Sequence, residues 1–160
     1  MGIGYSQILT KSISHVSAVP VAGLGSRVLL DGDEYIYAYN GATSLSAPVG
    51  YALVARAVTD YTGVISADTD VSPFIGVVKH VAIPAGEYGW VLRRGFGPCG
   101  AGNNTGLAAG EHLVIVGTSN TGNLGPRKAQ TAYSQVVAPP TYGVVQVATG
   151  TGGVGEAYYF

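Results

Sequence analysis

The chain has 160 residues, yet only eight are Lys or Arg and nine Asp or Glu, against 47% hydrophobic residues; its formal net charge is -1. The longest basic clusters are the pairs Arg93-Arg94 and Arg127-Lys128, which argues against a nucleic-acid footprint. No apolar run approaches the roughly 18 residues of a membrane-spanning helix, and the single Cys99 rules out an internal disulfide and any cysteine-rich metal motif.

Residues 1 to 25 mix isolated apolar side chains with Ser and Gly and fit neither a two-residue nor a 3.6-residue period. They read as an extended arm, or equally as a frayed terminus, that could reach on the order of 70 to 80 Å. An arm of this kind predicts that removing residues 1 to 20 leaves the fold intact. The first 30 residues lack a basic start followed by an unbroken apolar stretch, so no export signal is expected and synthesis in a reducing cytoplasm is.

From residue 26 to 160 a single β-rich domain is expected: an all-β fold, a small antiparallel β-barrel or sandwich with long loops and little helix. Short runs rich in Val, Ile, Tyr and Leu alternate with Gly, Pro, Asn and Asp. Strands are expected at Arg27 to Leu30, Glu34 to Tyr39, Tyr51 to Val58, Gly63 to Ser66, Phe74 to Ile83, Tyr88 to Arg94, His112 to Val116, Gly143 to Ala148 and Glu156 to Phe160. Asp31-Gly32 supplies the positive φ values of a tight hairpin. Pro98 to Gly110 and Thr118 to Pro126 read as loops.

Tyr35, Tyr37 and Tyr39 alternate with Ile36 and Ala38, placing three phenols on one strand face. Such a row suits a subunit interface, a carbohydrate platform, or packing beneath a loop with each hydroxyl partnered. Trp90, with Tyr88 and Val91, is expected in the core or at a subunit contact.

No constellation of catalytic chemistry emerges, and no enzyme is expected. Gly95-Phe96-Gly97-Pro98-Cys99-Gly100 matches G-x-G-x-x-G, but no helix follows and Pro98 removes a donor that phosphate binding needs, so no cofactor is expected. His15, His80 and His112 show no zinc spacing, and no metal site is expected. Asp31-Asp33-Glu34 and Asp60-Asp68-Asp70 lie at turns and lack the calcium-loop pattern.

What needs explaining is the shortage of charge. A folded monomer of 16.3 kDa would expose roughly 7,500 Å². Its 11% of charged residues compares with about 25% in ordinary soluble domains. Part of that surface is expected to be covered by other protein.

Phe74-Ile75-Gly76-Val77-Val78-Lys79-His80 and Gly86-Glu87-Tyr88-Gly89-Trp90-Val91-Leu92-Arg93-Arg94-Gly95, preceded by Asp33 to Asn40 and Pro48 to Tyr51, resemble segments of the head decoration, or capsid cement, proteins of tailed bacteriophages. The resemblance implies a non-enzymatic β-rich protein on the outer capsid surface of the virion, made in the host cytoplasm. It would bind the major capsid protein, form a homotrimer and possess no membrane or nucleic-acid partner; Thr118 to Pro140 has no counterpart in that resemblance and reads as an additional outer loop or as a contact with a second decoration protein. It further implies an arm that clamps capsid subunits through Ile3, Tyr5, Ile8, Leu9 and Ile13, with Tyr35, Tyr37, Tyr39 and Trp90 as subunit-interface candidates. The alternative reading is a carbohydrate- or receptor-binding module of a phage tail or fibre, using the tyrosine row with Asn103 to Thr105 and Ser119 to Asn123.

Overall fold

A computed structural model describes residues 13–42, 46–55, 62–64, 74–100, 106–115, 124–126, 143–148, 150 and 153–160. Its elements are ten strands: β1 (Arg27–Leu30), β2 (Asp33–Asn40), β3 (Ala52–Ala55), β4 (Thr62–Val64), β5 (Phe74–Val77), β6 (Tyr88–Gly100), β7 (His112–Ile115), β8 (Leu124–Pro126), β9 (Gly143–Val147) and β10 (Val154–Tyr159). The β1–β2 hairpin closes where the dipeptide predicts, with Asp31 at φ 52° and Gly32 at φ 88° bringing Leu30 opposite Asp33.

Two long strands organise the rest. β2 pairs with β6 from Glu34↔Arg94 to Tyr39↔Tyr88, and with β1 beside its first half. β6 then runs on, and its second half pairs with β10 from Gly95↔Tyr159 to Gly100↔Val154. From β10 the sheet continues through β9 and β7 to β8. On the other side β2, β4, β3, β5 and β6 are joined in a circuit, but the β5–β6 join is the single pair Val77↔Leu92 and the parallel β2–β4 join is two pairs. No continuous ladder closes a barrel; the sheet is antiparallel save for that join and folds over itself in a sandwich-like way.

Because β2 and the first half of β6 are covered on both faces, they divide the interior into two cores. One contains Tyr35, Phe74, Val77, Leu92, Cys99, Leu113, Val145 and Tyr159. The other contains Ile36, Ala38, Ala47, Ile75, Val78, Ile83 and Val91. Adjacent residues of one strand, Tyr35 and Ile36 or Leu92 and Val91, thus bury into different cores, as the two-residue period of a strand dictates. Each such aliphatic side chain contributes about 1.5–3 kcal/mol of burial.

Asn40 is the buried polar residue that finishes β2. Its Nδ2 donates to the Ile83 carbonyl at 2.9 Å, its Oδ1 accepts from Ala42 N at 3.2 Å, and its backbone bonds Glu87 and Gly86. A buried amide is tolerable only when satisfied in this way. It anchors the turn Pro84-Ala85-Gly86 to the end of the strand.

Three expectations need correction. First, residues 13–25 are not a free arm. Ile13 is buried in the first core, Ser17 exchanges backbone hydrogen bonds of 3.1 and 2.8 Å with Tyr88, and Gly25 N donates to the Tyr37 carbonyl at 2.9 Å. The apolar side chain found an interior place and the backbone found a strand edge, both stronger claims than solvent. Ile3, Tyr5, Ile8 and Leu9 lie outside the described residues. Second, the run Phe74 to Ile83 breaks after Val77, where Lys79 and His80 leave the ladder to meet polar partners on β2. Ile83 then forms an isolated bridge with Ala47. Third, β6 runs on to Gly100, so Pro98 to Gly100 at the start of the expected loop Pro98 to Gly110 is strand, and Leu124 to Pro126 is a strand where a loop was expected.

Docking of residues 13–25 gives the opposite outcome to that of a detachable arm. Ile13→Ala should lower stability by about 2–4 kcal/mol, and deletion of residues 1 to 20, which also removes the Ser17–Tyr88 bonds, should cost more. Urea unfolding followed by tryptophan fluorescence measures both. An unchanged midpoint in the deletion would show that this segment is not part of the fold.

Candidate functional site

The tyrosine row suits a subunit interface, a carbohydrate platform or packing beneath a loop, and its placement differs residue by residue. Tyr35 and Tyr37 are 2% and 1% exposed within their own chain, so neither ring is free to face a second subunit. Tyr37 lies under the segment 18–26, and its hydroxyl accepts a hydrogen bond from Val21 N at 3.0 Å. Tyr39 is half-buried against Tyr88, with ring centroids 4.6 Å apart, and half-buried Trp90 packs on Tyr37 at 5.1 Å and 55°. These tilted rings form a ladder, not a coplanar platform for a sugar. Packing beneath a loop is the arrangement found for Tyr37. The Trp90 Nε1 has no hydrogen-bond partner among the described residues.

A polar clasp joins the start of β2 to the middle of β6. Asp33 Oδ1 accepts from Phe96 N at 3.0 Å, while Oδ2 accepts from Lys79 Nζ and from the Tyr35 hydroxyl at 3.3 Å. Lys79 also donates to the Phe96 carbonyl at 2.7 Å. The Tyr35 hydroxyl also lies 3.1 Å from His80 Nε2, a hydrogen bond whose direction is set by the imidazole tautomer. Gly95 makes the approach possible: a Cβ there would lie 2.0 Å from Asp33 Oδ1, and its φ of +124° is one that side chains rarely adopt.

The electrostatics fit a structural tie. Burial, reinforced by the negative Asp33, holds the Tyr35 phenol well above its ordinary range. Burial and the neighbouring Lys79 cation hold His80 below its usual value, outweighing the opposite pull of Asp33. Each carboxylate oxygen of Asp33 is already engaged. Glu34, its neighbour in the acidic cluster, is paired with Arg27 at 3.0 Å. Asp60, Asp68 and Asp70 lie outside the described residues, among which no group of three potential metal ligands occurs.

Cys99 points inward from β6 and is fully buried; burial pushes its thiol up to about 11. At neutral pH it is the thiol, not the thiolate a nucleophile requires. The glycines around it lie in a β6–β10 ladder rather than at a strand-to-helix turn.

What the surface offers instead is apolar area in two places. One is a strip along the N-terminal segment and the edge strand: Val19, Val21, Leu24 and Leu29, the last 72% exposed. The other is the outer face of β6, β10 and β9, with Phe96, Val147, Val154, Tyr158 and Phe160. Sequence reasoning passed over the second face, although its signal was present. In Val154 to Phe160 burial alternates strictly: Gly155, Ala157 and Tyr159 are buried, and Val154, Glu156, Tyr158 and Phe160 are exposed.

No family model matches the chain, and neither does any curated protein. Among solved structures it is similar to the head fiber gp8.5 N base of bacteriophage phi29, at 15% identity and a TM-score of 0.48, over 79% of this chain and 94% of that chain. A likeness of this degree assigns no function.

The clasp and the surface ion pair should separate cleanly on mutation. Asp33→Ala strands Lys79, with its side chain 22% exposed, and leaves Phe96 N and the Tyr35 hydroxyl without their acceptor. A loss of about 2–3 kcal/mol is expected, somewhat under the 3–5 of a fully buried pair. Arg27→Ala, whose side chain is 60% exposed, should cost no more than about 0.5 kcal/mol. Equal midpoints in urea would refute the clasp.

His80 also gives stability a pH dependence of defined sign. Its folded-state value lies below the unfolded one, so the unfolded chain binds the proton more readily. The contribution is present above the unfolded value of about 6.5 and is lost as pH falls below it. Melting temperature between pH 7.5 and 5 should fall less steeply in His80→Gln than in the wild type; parallel curves would exclude His80 as the source.

Proposed function

We propose that this chain is a structural, non-enzymatic protein of a bacteriophage virion that attaches to the outer surface of the head and stabilises the capsid lattice, with the major capsid protein and further copies of itself as partners. The observation that carries the reading is the combination of very sparse charge with large apolar side chains left outside two cores that are already complete. A catalyst has no use for such surface; a protein whose work is burial against neighbours does.

The segments that resemble capsid cement proteins support the same reading, and their position narrows it. Phe74 to Val77 is β5, and Gly86 to Gly95 supplies the turn and first half of β6, both largely inside. Shared residues of this kind describe the framework. Contact with the head must then be made elsewhere, and the exposed side chains Val19, Val21, Leu24 and Leu29 form the surface we assign to it. Trimerisation at local three-fold positions follows from the resemblance. Attachment would stabilise the lattice by mass action: a ligand that binds only the mature lattice at a hundred times its dissociation constant adds about 2.7 kcal/mol per site.

Purified protein added to undecorated heads should co-sediment with them and raise their disruption temperature. Val19→Asp with Leu29→Asp should weaken that attachment by about tenfold or more while leaving the melting temperature of the free protein within a degree or two, since both side chains are mostly exposed. No co-sedimentation of the wild-type protein would overturn the proposal. Binding to a glycan array instead would favour the receptor-binding alternative.

A further inference from the structure

The outer face of the second half of the sheet has an unusual construction. Cross-strand register sets Phe96 beside Tyr158, Tyr158 beside Val144, and Val144 beside His112, so one row crosses β6, β10, β9 and β7. The next row sets Pro98 beside Glu156 and Glu156 beside Val147, and the next ends with Val154 opposite Gly100. Directly opposed residues share a face, so these side chains form one continuous patch. Phe96 and Tyr158 are each 42% exposed, and Val147 and Val154 more than half exposed.

The same strands show why this is not the ordinary surplus of apolar surface. Along β10 the inward positions are Gly155, Ala157 and Tyr159, all buried, and the outward ones Val154, Glu156 and Tyr158. An antiparallel strand with one solvated face turns polar residues outward. Here apolar and aromatic side chains face out, and among the described residues of these rows Glu156 and His112 are the titratable groups apart from Tyr158.

We infer that the β6–β10–β9 face is the surface on which a second copy of this chain packs. Two quantities on the page single out that occupant. The five exposed side chains Phe96, Val147, Val154, Tyr158 and Phe160 present on the order of 500 Å² of apolar surface, near the top of the range for patches on ordinary monomers. A standard interface needs about 800 Å² per partner with an apolar share of about 65% at its centre, which is that same area. The polar pair is complementary as well: when copies close into a ring, as in a trimer, each offers one group to either neighbour. Glu156 of each copy can then accept the imidazole N–H of His112 of the next.

The face lies on the half of the sheet that β10, β9 and β7 build, whereas the strip of Val19 and Leu29 belongs to the N-terminal segment and β1. Self-association and head attachment are therefore separable. The test is the mass of the full chain by sedimentation equilibrium across a dilution series. The wild-type protein should be oligomeric; Phe96→Glu with Tyr158→Glu should weaken association by about a hundredfold or more, and Leu29→Glu should leave it unchanged. Should the double variant fail to fold, Val147→Glu with Val154→Glu, at more than half-exposed positions, should still dissociate the assembly with its circular dichroism spectrum intact. A wild-type monomer, or an oligomer indifferent to both double variants, overturns the inference, whatever the outcome of head binding.

Discussion

The antiparallel pairing of β2 with β6 is the constraint from which the rest follows. β2 and the first half of β6 are covered on both faces, so there the backbone must be satisfied through neighbours and cannot use water. β2 does so with β1 and β4 on one edge and β6 on the other. β6 is thirteen residues long, enough to serve β2 with one half and β10 with the other, and so among the described residues it is the strand shared by the two halves of the sheet. The point of handover, near Gly95, is where the Asp33 carboxylate caps Phe96 N and draws in Lys79.

That handover explains a pattern of glycines that composition alone makes look like a loop. Gly97 faces inward, where a Cβ would come within 2.5 Å of Leu92 Cδ2. The second half of β6 therefore carries small residues because the first core has no room there, not because the chain needs freedom to turn. Glycine-rich sequence was read as irregular, and in this strand it marks close packing.

Legibility followed the range of the interaction. The hairpin at Asp31-Gly32 was readable because its cause lies in two adjacent residues. The alternation of Tyr35, Tyr37 and Tyr39 was readable as a strand, but not that both faces would be covered, since the cover for Tyr37 comes from residues 18–26 and that for Ile36 from Ile83 and its neighbours. Ile13 illustrates the same limit: one apolar residue among serines carries no period, and only the cavity it fills reveals its role. The break after Val77 depends on Asp33, more than forty residues away in sequence. The outer face of β10 stood closest to the margin, because its alternation was visible while the side that would be buried was not.

The sparse charge acquires a sharper meaning once its use is followed. Lys79 and Asp33 neutralise one another in the clasp, Arg27 is spent on Glu34, and Arg93 donates to the Phe74 carbonyl and lies over the Phe74 ring, 5.4 Å from its centroid. These groups hold strands together and do little to hydrate the exterior. The surface available to water is thus poorer in free charge than the composition suggests, in a chain that also turns Tyr158 and Phe160 outward from a strand whose inner side, Gly155, Ala157 and Tyr159, is already buried. Interior packing does not demand that choice, since the core is filled from the other face. Apolar bulk on the outer side of β10 is what burial against a protein neighbour calls for.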